Sequence, residues 1–193
     1  MKLYRFGQAV CRLVLRTLFK VEIRGKEHIP SEGGVLLCSN HISNFDPPLL
    51  GAFIHRQVRY MAKKELFDKK GIGKLLKGLG AFPVKRGGSD RESLRTALRI
   101  LKEGDMVGLF PEGTRSKTGE IGNGLAGAGF FAGKSEAYVI PCVIIGPYRF
   151  RKRVILAYGE PIDMEAYRQQ RVSAQEITDT IMTEIQRLKD IHQ

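Results

Sequence analysis

Seven short apolar runs, separated by polar turns or by helix-length amphipathic stretches, constrain this 193-residue chain more than any other feature. Val21–Arg24, Gly34–Cys38, Val58–Ala62, Ala81–Val84, Met106–Phe110, Val139–Ile145 and Val154–Tyr158 are too short for buried helices and read as strands. Helical patterns fall near 47–55, 71–78, 89–102, 124–134 and 173–191. This alternation predicts an α/β fold with a largely parallel central sheet flanked by helices, because parallel neighbours need a long crossover that a helix fills. In such sheets the loops leaving the carboxyl ends of the strands build the site.

The length suits one catalytic domain over residues 21–193 with a short appendage over residues 1–20. Hydrophobic residues at 42% and charged residues at 27% exclude disordered, collagen-like and coiled-coil classes. Cys11, Cys38 and Cys142 lie far apart, which argues against a disulfide framework or a zinc site built on cysteine pairs and suits a reducing compartment. The longest uncharged runs, Ile121–Gly133 and Tyr138–Tyr148, fall short of the roughly 20 residues a membrane-spanning helix needs. Arg12 and Arg16 interrupt the amino-terminal apolar stretch and no small-residue cleavage site follows, so a secretory signal is not expected.

A formal net charge of +12 calls for a polyanionic partner or surface. The excess is local: residues 1–26 carry seven bases and one acid, and residues 56–102 carry fourteen and four. On a helical wheel Leu3, Phe6, Val10, Val14 and Leu18 share one face while Lys2, Arg5, Arg12, Arg16 and Lys20 share another. That is the pattern of a basic helix lying in a membrane interface, and an amphipathic helix packed on the domain with a solvated basic face reads the same way. The second patch, Arg56 to Lys77, suits a solvated face, anionic lipid, acidic acyl carrier protein or the phosphates of coenzyme A.

Three strand-end loops carry the chemistry. Ser39-Asn40-His41-Ile42-Ser43-Asn44-Phe45-Asp46-Pro47-Pro48 places His41 and Asp46 five residues apart in a turn entering a helix. That spacing lets a carboxylate hold one imidazole nitrogen and leave the other free to take a proton, although Asp46 also suits a helix N-cap. Pro111-Glu112-Gly113-Thr114-Arg115-Ser116 packs a carboxylate, a glycine, a hydroxyl and a guanidinium at a strand's end, as an oxyanion-binding loop or an ordinary surface turn would. Lys85 and Arg86 followed by Gly87 and Gly88 form a candidate phosphate cradle, and Ser89 with Glu92 has capping-box spacing.

In this order and at these separations the three loops resemble the glycerolipid acyltransferases that make phosphatidic acid, the 1-acylglycerol-3-phosphate acyltransferases. Asn40–Asp46 resembles that family's first motif, His, four residues and Asp; Phe110–Ser116 matches its third; Gly80–Gly87, with Arg86, resembles the second. Val139-Ile140-Pro141 resembles the fourth, an apolar strand closed by proline, and the likeness runs from about Val21 to Gly159. Cys142 and Ala126 depart from the family pattern without touching the reacting groups.

The resemblance implies transfer of a fatty acyl group from acyl-CoA or acyl carrier protein to the sn-2 hydroxyl of 1-acylglycerol 3-phosphate. His41 would serve as general base and Asp46 as its orienting acid, with no serine or cysteine nucleophile. Lys85, Arg86 and Arg115 would hold the acceptor's phosphate, Glu112 would organise the Gly113–Arg115 loop by accepting hydrogen bonds, and Ser43 and Thr114 would help position loops or substrate. Neither a metal nor a cofactor is expected, and His28, His55 and His192 read as packing or surface residues. The need to fetch an acyl chain favours the membrane-interface reading of residues 1–20, so anionic phospholipid is the expected partner, on the cytoplasmic side of the cell membrane. Glycerol 3-phosphate or another lysolipid is the alternative acceptor. A non-enzymatic nucleic-acid-binding domain is supported by charge alone, and Phe67 is the only aromatic between Lys63 and Lys77, so nucleic acid is not an expected partner.

Overall fold

Strands buried on both faces need helices on both faces, and the chain supplies them. The computed structural model describes residues 2–85 and 90–193. Its strands are β1 (Lys20–Arg24), β2 (Val35–Ser39), β3 (Val58–Lys63), β4 (Phe82–Val84), β5 (Met106–Leu109), β6 (Tyr138–Ile145) and β7 (Arg153–Tyr158). They form one sheet in the order β1-β7-β6-β2-β5-β3-β4. Every neighbouring pair is parallel except β6 with β7.

Alternation along the central strands splits the core into two layers. Leu36, Val107, Val139 and Val143 face one way, against α5 (Arg91–Lys102), α6 (Gly127–Lys134) and α8 (Ala174–His192). Val35, Leu37, Met106, Ile140 and Ile144 face the other, against α1 (Lys2–Leu18) and α2 (Asp46–Ala52). The short helices α3 (Lys64–Phe67), α4 (Ile72–Gly78) and α7 (Glu165–Gln169) were not expected as separate elements, except α4, whose pattern near 71–78 is clear. Four-residue and five-residue helices are too short to show a period.

Three local readings need correction. Ser89 lies outside the described residues, and the N-cap of α5 is Asp90, whose carboxylate accepts from Ser93 N at 3.1 Å. Pro141 does not close β6, which runs on to Ile145; its missing N–H falls where the β7 ladder ends at Cys142, and its carbonyl accepts from Gly159 N at 2.7 Å. In α1, Arg12 and Arg16 do not stand on a freely solvated face: Arg12 Nε donates to Ala52 O, and the Arg16 guanidinium lies 5.4 Å from the Phe53 ring centre.

The helix packs on the domain through a face that hydrophobicity alone does not pick out. Gln8 is buried and donates to Gly51 O and Ile54 O at 2.9 and 3.0 Å, Val58 N donates to Tyr4 OH at 2.9 Å, and Leu15 is 1% exposed. Meanwhile Leu3, Phe6, Val10, Leu13 and Val14 are all exposed, Phe6 and Leu13 by 67% and 70%. Among the described residues no helix is long and apolar enough to cross a membrane.

Candidate active site

The site lies at the carboxyl ends of β6, β2 and β5, three adjacent strands. Asn40, at the end of β2, is almost fully buried and clasps β6: its Nδ2 donates to Ile144 O at 2.9 Å and its Oδ1 accepts from Ile144 N at 2.7 Å. The next residue, His41, is thereby presented from a fixed strand end.

Asp46 opens α2 with Pro47 and Pro48 behind it, and its carboxylate is fully buried. Oδ2 accepts from Ile42 N at 2.6 Å, from Ser43 N at 2.7 Å and from His41 Nδ1 at 2.7 Å, while Oδ1 accepts from Tyr148 OH at 2.8 Å. Four donors and no acceptor suit a carboxylate, and an ionised Asp46 assigns the proton of His41 to Nδ1. Nε2 is then the free lone pair of a side chain that is 18% exposed. Asp46 therefore stands inside the first turn of α2 rather than at its N-cap, which is Phe45.

The loop after β5 fixes His41 from the other side. His41 N donates to Glu112 Oε1 at 3.0 Å, and His41 O accepts from Ser116 N at 2.8 Å. The imidazole stacks on Phe110 with ring centres 4.2 Å apart and planes 21° apart, and Tyr60 continues the stack behind Phe110. The second oxygen of Glu112 accepts from Gly122 N at 3.3 Å. Glu112 thus ties His41 to the downstream segment instead of organising the Gly113–Arg115 turn. That turn closes through its own backbone, with Gly113 N donating to Phe110 O at 3.0 Å at a φ of 66° that favours glycine.

Lys85 and Gly113 line a cleft of about 350 Å³ together with Phe110, Pro111 and the apolar side chains of Met61 and Leu125. Lys85 N donates to Asp90 Oδ2 at 2.7 Å, which draws the end of β4 to the start of α5 and helps hold the Asp90 carboxyl below its usual range. Thr114 and Arg115 are exposed on the same loop as Glu112, and Arg86 lies outside the described residues. Ser43 Oγ accepts from Phe45 N at 3.2 Å and so shapes the turn between His41 and Asp46.

Cys38 and Cys142 are fully buried in the core, and burial pushes the Cys38 thiol up to about 12, so it is not a thiolate near neutral pH. Sequence reasoning assigned no role to Asn40, Phe110 or Tyr148. Asn40 and Phe110 flank motif residues and were within reach. Tyr148 stands 102 residues from Asp46, and no spacing rule joins them.

The acyltransferase family model matches residues 20–145 of this chain. A protein of Bacillus subtilis (strain 168) named 1-acyl-sn-glycerol-3-phosphate acyltransferase is 36% identical over 166 residues, which span 83% of this chain and 82% of that one. One of the same name from Streptococcus pneumoniae is 28% identical over 173 residues, 85% of this chain and 64% of that one. The crystal structure of the 1-acyl-sn-glycerophosphate acyltransferase PlsC from Thermotoga maritima superposes with a TM-score of 0.75 at 25% identity, covering 97% of this chain and 78% of that one.

Proposed function

Because this chain belongs to the acyltransferase family, we propose that it acylates the sn-2 hydroxyl of 1-acylglycerol 3-phosphate from an acyl thioester, acyl-CoA or acyl carrier protein, giving phosphatidic acid. The observation that carries the reading is the His41–Asp46 pair, held at 2.7 Å with the imidazole stacked on Phe110, a residue that lines the apolar cleft, in a chain whose relatives bear that activity in their names.

His41 Nε2 takes the proton of the acceptor hydroxyl as its oxygen attacks the thioester carbonyl. Asp46 holds the ring by Nδ1 and stabilises the imidazolium that forms. Collapse of the tetrahedral intermediate breaks the carbon–sulfur bond, and the imidazolium returns its proton to the departing thiolate. No covalent acyl-enzyme is required, which suits a chain whose Cys38, three residues before His41, is buried and protonated. Arg115, with Lys85 and Arg86, meets the acceptor's phosphate through charge-assisted hydrogen bonds.

The protein works as a peripheral enzyme on the cytoplasmic face of the cell membrane, with α1 as its contact to anionic phospholipid. Support comes from Leu3, Phe6, Val10 and Val14 of the apolar stripe of α1, which the domain leaves exposed, and from the bases Lys2 and Arg5 on the same helix. The test is a panel of acceptors, 1-acylglycerol 3-phosphate, glycerol 3-phosphate and neutral lysolipids, with acyl-CoA or acyl carrier protein donors and products identified by mass. Phosphatidic acid formed by the protein and not by His41→Ala is the expected result. Turnover confined to glycerol 3-phosphate would move the acceptor, and near-normal turnover by His41→Ala would refute the mechanism.

A further inference from the structure

Among the described residues Asp46 is the most deeply buried charged group in the site, and one of its oxygens has a single donor. That donor is Tyr148, which comes from the segment after β6 and lies just past the stretch matched by the family model. Its ring is held from two sides: Phe19 packs edge-on at 5.2 Å between ring centres and Phe45 lies at 5.7 Å. A phenol caged this way has one way to aim its hydroxyl.

We infer that Tyr148 is a positioning residue that keeps Asp46 an oriented carboxylate and so sets the pH range in which His41 is free to act as a base. This rests on the reading of His41 and Asp46 as the reacting pair. Backbone N–H groups of Ile42 and Ser43 and the His41 ring all converge on Oδ2, so without Tyr148 the other oxygen is left dry and unpaired. A buried carboxylate oxygen that loses its only donor holds a proton more readily, either on itself or on the imidazole it touches. Either outcome removes the neutral base. Tyr148 itself stays a donor: burial first, and the charge of Asp46 second, push its phenol well above the ordinary range. Among the described residues the other titratable group bonded to this turn is Glu112, which meets the backbone of His41 and not its ring; Lys85 and Arg115 belong to the neighbouring loops.

The test is Tyr148→Phe, which keeps the ring and its contacts with Phe19 and Phe45. Loss of one hydrogen bond to a charged, buried group predicts a fall in kcat/KM of about tenfold at pH 6, shrinking to within about threefold at pH 9. The acidic limb of the rate profile moves up by roughly one pH unit, and KM for donor and acceptor stays within about twofold. In an Asp46→Asn background the same change adds no further shift of the acidic limb, because no carboxylate is left for the hydroxyl to stabilise; what is lost is only the bond from the amide nitrogen to that hydroxyl, and its effect is equal at every pH. A loss equal at all pH values in the single variant, or a further shift of the acidic limb in the double variant, would overturn the proposal.

Nitrogen NMR of the His41 ring reads the same shift without turnover, so the proposal stands or falls even if the substrate reading fails: an unmoved titration in Tyr148→Phe refutes it. Should that variant fold poorly, 3-fluorotyrosine at position 148 preserves the cage and donates more strongly. The limb and the NMR titration then move down instead of up, and no movement refutes the proposal equally.

Discussion

Replacing Asp46 by Asn removes one charge at nearly constant shape, and the structure dictates how the amide must sit. Three donors converge on Oδ2, from Ile42 N, Ser43 N and His41 Nδ1, at 2.6, 2.7 and 2.7 Å. An NH₂ group placed there would face all three. The amide oxygen therefore takes that position and the nitrogen turns to Tyr148, whose hydroxyl oxygen lies 2.8 Å from Oδ1 and can accept. From the sequence alone an amide at this position is expected to trap the imidazole in the wrong tautomer; the two backbone N–H groups remove that option. The ring keeps its proton on Nδ1, and what is lost is the negative charge beside the developing imidazolium.

An opposite charge within a few ångströms favours the ionised partner by about 1–3 pK units, or roughly 1.4–4 kcal/mol. Asp46 is fully buried, so water does little to screen it and the upper part of that range applies. The expected result is kcat lower by ~10²–10³-fold, with KM for both substrates changed by less than about threefold. Steady-state rates between pH 6 and 9, read beside the nitrogen shifts of the His41 ring, make the measurement. The acidic limb moves down, opposite in sign to Tyr148→Phe, because the imidazolium has lost its partner. A kcat within tenfold of the parent with the tautomer kept would refute the charge argument. An inverted tautomer would refute the argument about how the amide sits.

Glu112→Ala leaves the N–H groups of His41 and Gly122 without their acceptor, which predicts a stability loss of about 1–3 kcal/mol in urea titration and a kcat lowered more than either KM is raised. Arg115→Ala is expected to raise the acceptor KM by ~10-fold or more with a smaller effect on the donor; a defect in donor KM alone would reassign Arg115 to coenzyme A. On α1, Phe6→Asp with Leu13→Asp should abolish sedimentation with anionic vesicles and leave the melting temperature nearly unchanged, whereas Leu15→Asp should lower the melting temperature sharply with or without vesicles.

The sheet was legible because each central strand is apolar on both faces and bounded by turn residues; the structure moves strand ends by a residue or so. The His41–Asp46 pair was legible because both residues sit in one short turn. Glu112 was found by its motif but its partners were not, since hydrogen bonds to His41 N and Gly122 N depend on where two loops meet in space. Tyr148 was invisible for the same reason: a single hydroxyl reaching across from a third strand end leaves no periodic trace. Hydropathy could not tell which side of α1 meets the domain, since an apolar stripe suits a membrane interface and a domain face alike. Polar and small groups, Gln8 and the Tyr4 hydroxyl, satisfy free backbone groups near α2, so the buried face carries less apolar character than the exposed one.

That inversion bears on how an enzyme reaches a lipid. A helix that docks by hydrogen bonds to Gly51, Ile54 and Val58 keeps its large apolar side chains available, and loses none of the domain's core by lending them to a membrane. The helix also ends at the site. Leu18 O accepts from Arg151 N at 2.7 Å, and Phe19, the next residue, packs on both Phe45 and Tyr148, whose hydroxyl reaches Asp46. On the proposal that α1 meets the bilayer and the acceptor is drawn from it, a base anchored at the foot of that helix gains, because the distance the acceptor travels is then set by packed aromatic rings.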